Sequence, residues 1–511
     1  MTAHSLTIRL HPADGVVIAR TDILPGTTLA DEGVVAAGRI PAGHQVATRP
    51  HGPGEPVRRY GQIIGVATRP IAAGEHVHAH NLGMGDHDRD YSFCTEARPT
   101  ACIDPPATFD GIIRPDGRVA TRNCIGVLTT VNCSATVAQF VAEAFRRNPF
   151  TGHDPLAEFP NVDGVVALTH RTGCGMSEDE PLRLLRRTLA GYARHPNFAA
   201  VMVLGLGCEV NQIAELVGAE GVGGTPNLLA PTIQGMGGTA KTVARAVEFV
   251  REVLPEANAV ARTPVPASHL RLALQCGGSD GLSGISANPA LGAASDLVVR
   301  HGGTVILSET PETFGAEHLL TRRAVSEQVG RKLVELIRWW EDHARRHGAA
   351  LDDNPSPGNK AGGLTTILEK SLGAMAKAGT TALVEVYRYA EPVTAKGFVF
   401  MDTPGYDPVS VTGQVAGGAN MVCFTTGRGS VFGCKPASSL KLATNTPLFH
   451  RMQDDMDLNC GTIIDGEETV AECGERIFRE ILAVASGKKT RSEAWGFGDQ
   501  EFAPWVLGAT L

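Results

Sequence analysis

Aromatic residues are scarce in this chain, at 5% of 511 positions. No apolar run approaches the ~20 residues that cross a bilayer. The opening stretch MTAHSLTIRLHPADG is polar and lacks the apolar core of a secretory signal, so a cytoplasmic protein without a membrane partner is expected. Positive charge is not in excess. Lys and Arg number 46 against 54 Asp and Glu, and a net charge of −8 leaves no basic footprint for nucleic acid. The 11 cysteines are an odd number, which argues against a complete disulfide framework and for reduced, available thiols. Nucleotide motifs fail on single residues. GMGGTAKT, from Gly235 to Thr242, has Ala240 where a phosphate-binding loop needs glycine, and GLGCEV at Gly205 lacks the third glycine of a dinucleotide fingerprint.

Glycine is plentiful, at 59 residues, with 43% hydrophobic and 20% charged positions, a composition of ordinary globular domains rich in tight turns. The length exceeds what one core supports. Residues 1–85 carry short alternating segments (SLTIRL, GVVIAR, QVATRP, IIGVATRP) between Gly/Pro turns and read as a small β-rich domain. A polar linker follows over 86–108. Over 109–255, apolar strands alternate with helical stretches such as TVAQFVAEAFRR and KTVARAVEFVREVL, the pattern of an α/β domain with a largely parallel sheet. A Pro-containing joint over 256–268 leads into a second α/β region, 269–511, taken as the catalytic domain.

Four cysteines share one local context: each follows a buried-strand pattern and lies at a polar or Gly-rich turn. They are Cys133 (IGVLTTVNCSA), Cys174 (VVALTHRTGCG), Cys208 (VMVLGLGCE) and Cys276 (LALQCGGSD). Strand C-termini of an open α/β sheet share one edge, where ligands bind, so the four are expected to converge on a soft-metal or iron site. The plainer alternative is four small buried apolar residues. In EHVHAHN, side chains two apart share a strand face, which groups His76, His78 and His80 as metal ligands or proton carriers, or as the polar face of an edge strand. His11 and His44 sit beside turns, and Glu209 directly follows Cys208. The long loops QCGGSDGLSGISANP, NPSPGNKAGG and FTTGRGSVFGCKP are of a kind that is usually functional. Ser279, Asn288, Asn354 and Asn359 suit a polyhydroxy ligand, and Lys360, Arg428 and Lys435 suit a carboxylate.

Several of these segments carry a family resemblance. TRNCIGVLTTVNCSATVA, HRTGCG, GLGCEVNQ, QCGGSDGLSGISANPALG, SETPETFGAEHLL, NPSPGNKAGG and FTTGRG, in this order, resemble the altronate and galactarate dehydratases, sugar-acid hydro-lyases. The first 85 residues look like the SAF domain of that family. EHVHAHN, FGAEHLL and NKAGG look closer to its altronate branch. Cys124, in TRNCIG, departs from the pattern and is a poor ligand candidate. The resemblance implies dehydration of an altronate-type aldonate to a 2-keto-3-deoxy acid, with galactarate dehydration as the alternative. Sulfolactate sulfo-lyase and a non-catalytic sugar-acid-binding protein rank lower. It also implies ferrous iron, with the family leaning to a single ion held by imidazole and carboxylate; the four cysteines themselves point to the alternative, an iron–sulfur cluster with three cysteine ligands and one iron open to substrate. Proton abstraction at C2 and loss of the C3 hydroxyl need a base and an acid, for which His11, His44 and Glu209 are the candidates. Cys133, Cys174, Cys208, Cys276, His76 and His78 are the metal candidates. A sugar-acid substrate and a homodimer are the expected partners.

Overall fold

A computed structural model describes residues 5–85, 89, 91–148, 150–219, 221–225 and 227–508. The N-terminal domain is built of short strands. A four-stranded antiparallel sheet contains β1 (Val16–Ala19), β2 (Gln45–Ala47) and, at its edge, a two-residue strand His76–Val77. A three-stranded sheet contains β3 (Gln62–Ala67). Val16, Ala47, Val57, Ile64, Ala67, Ile71, Val77 and Leu82 are buried in the same apolar cluster as Leu272, Leu274, Leu291 and Phe398 of the C-terminal domain. The small domain therefore shares its core with the body of the molecule.

The middle domain has four parallel strands. β4 (Cys124–Thr129) is central, with β5 (Gly164–Leu168) on one side and β6 (Phe198–Leu204), then Leu228–Leu229, on the other. All six residues of β4 are buried, which explains its uninterrupted apolar pattern. Helices α1 (Ala135–Glu143) and α2 (Glu180–Ala193) cover opposite faces. The segment expected to be a joint is instead a strand, Arg262–Pro266, pairing antiparallel with Thr108–Ile113. Entry to and exit from the middle domain are thus stitched together.

The C-terminal domain holds a seven-stranded, all-parallel sheet. At its centre, β7 (Arg271–Cys276) is flanked by β8 (Thr304–Leu307) on one side and β10 (Met421–Thr426) on the other, with β9 (Gly397–Met401) beyond β8. Helix α3 (Ala287–Arg300) follows β7, and α4 (Ile367–Met375) carries a row of buried residues between the sheet and the N-terminal domain. Among the described residues no helix is long and apolar enough to cross a membrane.

Candidate functional site

From β7 the chain runs first to β8 and later returns to the other side as β10, so the sheet's topological switch point lies between β7 and β10. The crevice outside the strand C-termini at such a point is where α/β folds bind ligands. Cys276 ends β7, and Gly427–Arg428–Gly429 follows β10. The two turns are locked together, since the amides of Gly427 and Arg428 both donate to the Gly278 carbonyl, at 3.0 and 2.8 Å. Gly277 has no room for a side chain, because a Cβ there would overlap the Asp407 carboxylate and the Phe424 ring. Asp280 fastens the loops. It accepts from Ser283 Oγ (2.8 Å), Thr444 Oγ1 (3.0 Å) and Asn445 Nδ2 (3.2 Å).

Beneath these turns lies a buried group of acids and amines. Cys276 Sγ and one oxygen each of Glu309 and Glu312 lie within 4.8 Å of one another, the one such set of three potential metal ligands among the described residues. Glu309 ends the β8 turn at φ 67°, a rare conformation for a residue with a side chain. Lys377 Nζ is 3.3 Å from Glu309 Oε2, and Lys370 Nζ is 2.8 Å from Glu312 Oε1 and 2.9 Å from Asn354 Oδ1. Glu309 Oε1 and Glu312 Oε2 are buried without a hydrogen-bond partner among the described residues. Burial raises the carboxyls of Glu309 and Asp407 well above the usual range. Burial works against the Lys377 ammonium too, but Cys276 and Glu309 hold it charged. Two spare carboxylate oxygens beside a buried thiol make a donor set that fits a divalent ion such as ferrous iron.

The N-terminal domain closes one wall. Its Gly43–His44 turn packs on Gly362–Gly363, and Gly363, at φ +103°, stands where a Cβ would come 2.5 Å from the Gly43 carbonyl oxygen. His44 Nδ1 is 3.0 Å from His76 Nε2, His44 Nε2 is 3.3 Å from the Ala361 carbonyl, and His78 Nε2 is 2.8 Å from the Lys360 carbonyl. The rings of His44, His76, His78 and His80 form one cluster, with centroids 5.0–6.5 Å apart. A turn arranges it rather than strand alternation, because His78 N donates to Asn81 Oδ1 at 2.9 Å, just past the two-residue strand. Burial lowers the pKa of His44, with His78 adding to the effect, and brings His76 down to about 4. Both are therefore neutral at pH 7. Arg428 is exposed and Lys360 half-buried, and among the described residues the charged end of neither has a hydrogen-bond or ion-pair partner.

Several expected site residues stand elsewhere. Cys133, Cys174 and Cys208 are exposed at the edge of the middle sheet, whereas Cys276 is buried on the seven-stranded sheet. The four thiols thus do not share one edge, because identical strand-then-turn patterns arise in two different sheets. His11 is exposed, and its Nδ1 accepts from the Ala13 amide (3.1 Å) in its own turn. Glu209 accepts from Thr130 Oγ1 (2.6 Å), Leu206 N (3.2 Å) and Gly207 N (2.6 Å). With both oxygens committed, it shapes a turn rather than moving protons. Asn288 is spent on Gly373 O (3.0 Å) and Thr425 Oγ1 (2.6 Å), and Asn359 on capping Ser356 and bonding Ser279 O (2.9 Å). Ser279 Oγ lies 3.3 Å from Cys276 Sγ, and Asn354 Nδ2 donates to Glu312 (2.8 Å), so both belong to the buried group. Lys435 is paired with Asp499 at 2.5 Å.

Glu309, Glu312, Lys370, Lys377, Asp280 and Asp407 were not expected. The signal available was faint: acids shortly after the apolar run GTVIL, and two lysines seven apart, which share one face of a helix. A separate cleft of about 960 Å³, lined by Trp339, His343, Tyr387 and Trp505, holds none of these groups.

Comparison with known proteins agrees with this architecture. Residues 5–85 match the altronate/galactarate dehydratase SAF domain, residues 111–258 the D-galactarate dehydratase/altronate hydrolase second domain, and residues 267–510 the D-galactarate/altronate dehydratase C-terminal domain. The galactarate dehydratase (L-threo-forming) of Escherichia coli (strain K12) is 38% identical over 98% of this chain and 96% of its own length. The altronate dehydratases of Bacillus subtilis (strain 168) and E. coli are 35% and 34% identical, each over 99% of both chains. In sequence and in the order of its three domains, the chain belongs to the galactarate/altronate dehydratase family.

Proposed function

We propose that this protein is a hydro-lyase that converts a sugar acid of the altronate type to a 2-keto-3-deoxy acid at the crevice between β7 and β10. The observation that carries this reading is the pairing of two unpartnered cations, Arg428 and Lys360, with the buried Cys276–Glu309–Glu312 set at one switch point. Arg428 offers a planar fork for the substrate carboxylate, and Lys360 a second positive charge. His44, neutral and backed by His76, is the base for the C2 proton. Asp407, whose pKa burial raises to about 7 so that it can carry a proton near neutral pH, is the acid for the departing C3 hydroxyl. Cys276, Glu309 and Glu312 would hold ferrous iron, which supplies Lewis-acid stabilisation of the carboxylate side of the substrate. Galactarate is the second reading. It is favoured by the 38% identical relative and by the presence of two free cations, enough for two carboxylates.

A panel of aldonates and aldarates, assayed for 2-keto acid formation with added Fe²⁺, tests this. Activity on altronate or galactarate that chelation abolishes and Fe²⁺ restores is expected, and absence of 2-keto acid from the whole panel overturns the reading. In the same assay Arg428→Ala should raise KM roughly 10- to 100-fold, the worth of a charged hydrogen-bond pair, with Arg428→Lys rescuing in part. Unchanged KM in both variants returns Arg428 to a structural role. Cys276→Ser should lower the iron retained through gel filtration, and retention equal to wild type removes the thiol from the ligand set.

A further inference from the structure

The three exposed cysteines of the middle domain remain unused by this chemistry. We propose that Cys133, Cys174 and Cys208 form a second, separate site that binds an iron–sulfur cluster through three thiolates and leaves one iron open to an oxygen ligand from solvent.

Placement comes first. In the middle sheet the chain starts at β4, goes to β5 on one side and then crosses to β6 on the other, so this sheet too has a switch point, between β4 and β6. Cys133 follows β4, Cys208 follows β6, and Cys174 follows the adjoining β5.

The three turns are also bonded to one another pairwise, each time through a residue beside a cysteine. The Cys133 and Cys174 turns are joined by Asn132 N to Thr172 O (3.1 Å) and Asn132 Nδ2 to His170 O (3.2 Å). Asn211 N to Gly173 O (3.0 Å) joins the Cys174 and Cys208 turns. Asn211 Nδ2 to Thr130 O (3.0 Å) and Thr130 Oγ1 to Glu209 (2.6 Å) join the Cys208 and Cys133 turns. Gly173 adopts φ +105°, and a Cβ on it would overlap the Thr130 carbonyl, so only glycine lets the Cys174 turn come this close. Gly207 adopts φ +128°, and beside it lies the Gln234 side chain, whose amide Nε2 points at Cys208 Sγ from 3.5 Å. The three turns are therefore held to one another where the cysteines stand, and all three cysteines are exposed.

The donor set selects the ligand. Three exposed cysteines, each carried on a separate turn at one sheet edge, suit a polynuclear cluster, in which each thiolate binds a different iron. Binding costs three thiol protons, released to solvent.

The test is anaerobic reconstitution of the full chain with ferric iron, sulfide and excess dithiothreitol, which supplies the electrons for the mixed-valence cluster. A broad visible absorption with acid-labile sulfide in proportion to iron is expected. Cys133→Ser, Cys174→Ser and Cys208→Ser should each lose it, while Cys102→Ser, at an exposed cysteine elsewhere, and Cys276→Ser, in the buried set, keep it. Circular dichroism of every variant checks the fold. No chromophore in the wild type, a chromophore retained in the three variants, loss in Cys276→Ser, or iron bound through these cysteines without sulfide each overturns the proposal. Dehydratase activity is not the readout, so the result stands apart from the function proposed above.

Discussion

Replacing Glu369 by alanine is expected to destabilise the protein by about 3–5 kcal/mol, the cost of stranding one partner of a buried ion pair. Glu369 lies on α4 and is fully buried, and its carboxylate pairs with Arg59, also buried, from the N-terminal domain. The same carboxylate accepts from Gln45 Nε2 (2.7 Å), Thr365 N (2.8 Å) and Thr365 Oγ1 (2.6 Å). Arg59 continues to the Gly281 carbonyl (2.5 Å), in the loop that follows Cys276. Loss of the carboxylate would leave the Arg59 guanidinium in the interior with only the Gly281 carbonyl to balance it, and the Gln45 amide without its acceptor. Because the pair bolts the small domain to the body, early cleavage near residue 85 in limited proteolysis should accompany a fall in the thermal midpoint. A midpoint within a degree of wild type would show that the pair contributes nothing net. The shared apolar core makes a related point about truncation. Deleting residues 1–85 uncovers apolar surface at α4 and the sheet, so the truncated chain should be inactive and aggregation-prone rather than a well-folded body.

Much of the fold was legible because fully buried parallel strands are continuous apolar runs. IGVLT, VVAL, VMVL and LALQ each became a strand ending at the turn where it was expected. Sheet membership was not legible. Nothing local in LALQCGG distinguishes it from VMVLGLGCE, and only the tertiary arrangement puts Cys276 on the other sheet. The loops around the site were found from their Gly- and Asn-rich composition, but composition does not say which amides are already committed. Asn288 and Asn359 are committed at both ends of their amides to neighbouring protein groups, whereas Arg428 and Lys360 keep free charged ends. The buried acids and amines were missed because Glu309 and Lys377 are 68 residues apart and carry no shared pattern. Their pairing depends on the β8 turn meeting the segment after α4. Conversely, EHVHAHN gathered its histidines as the alternation implied, but through a turn closed by Asn81 and with His44 brought in from another strand's end.

The histidine cluster gives the largest kinetic prediction. His44→Ala should lower kcat by about 10²–10⁴-fold, the usual worth of a positioned general base, with the fold intact. His44 is buried at the wall of the crevice, and burial together with the neighbouring His78 keeps its pKa below the ordinary 6.5. A base of this kind stays unprotonated at lower pH than a free imidazole, so the acid limb of kcat/KM should fall below pH 6.5. Stability follows the same sign. An unfolded chain binds these protons near pH 6.5, while folded His76 resists them to about 4. The native state therefore loses stability as pH falls through that window and is at full strength above it. His11→Ala serves as the comparison, since its ring is exposed and bonded within its own turn, and it should leave the pH profile where it was. If His44→Ala turns over within twofold of wild type, or if the acid limb lies at or above pH 6.5, the base is another residue. The histidine cluster would then serve only to seat the small domain on the Lys360–Gly363 loop.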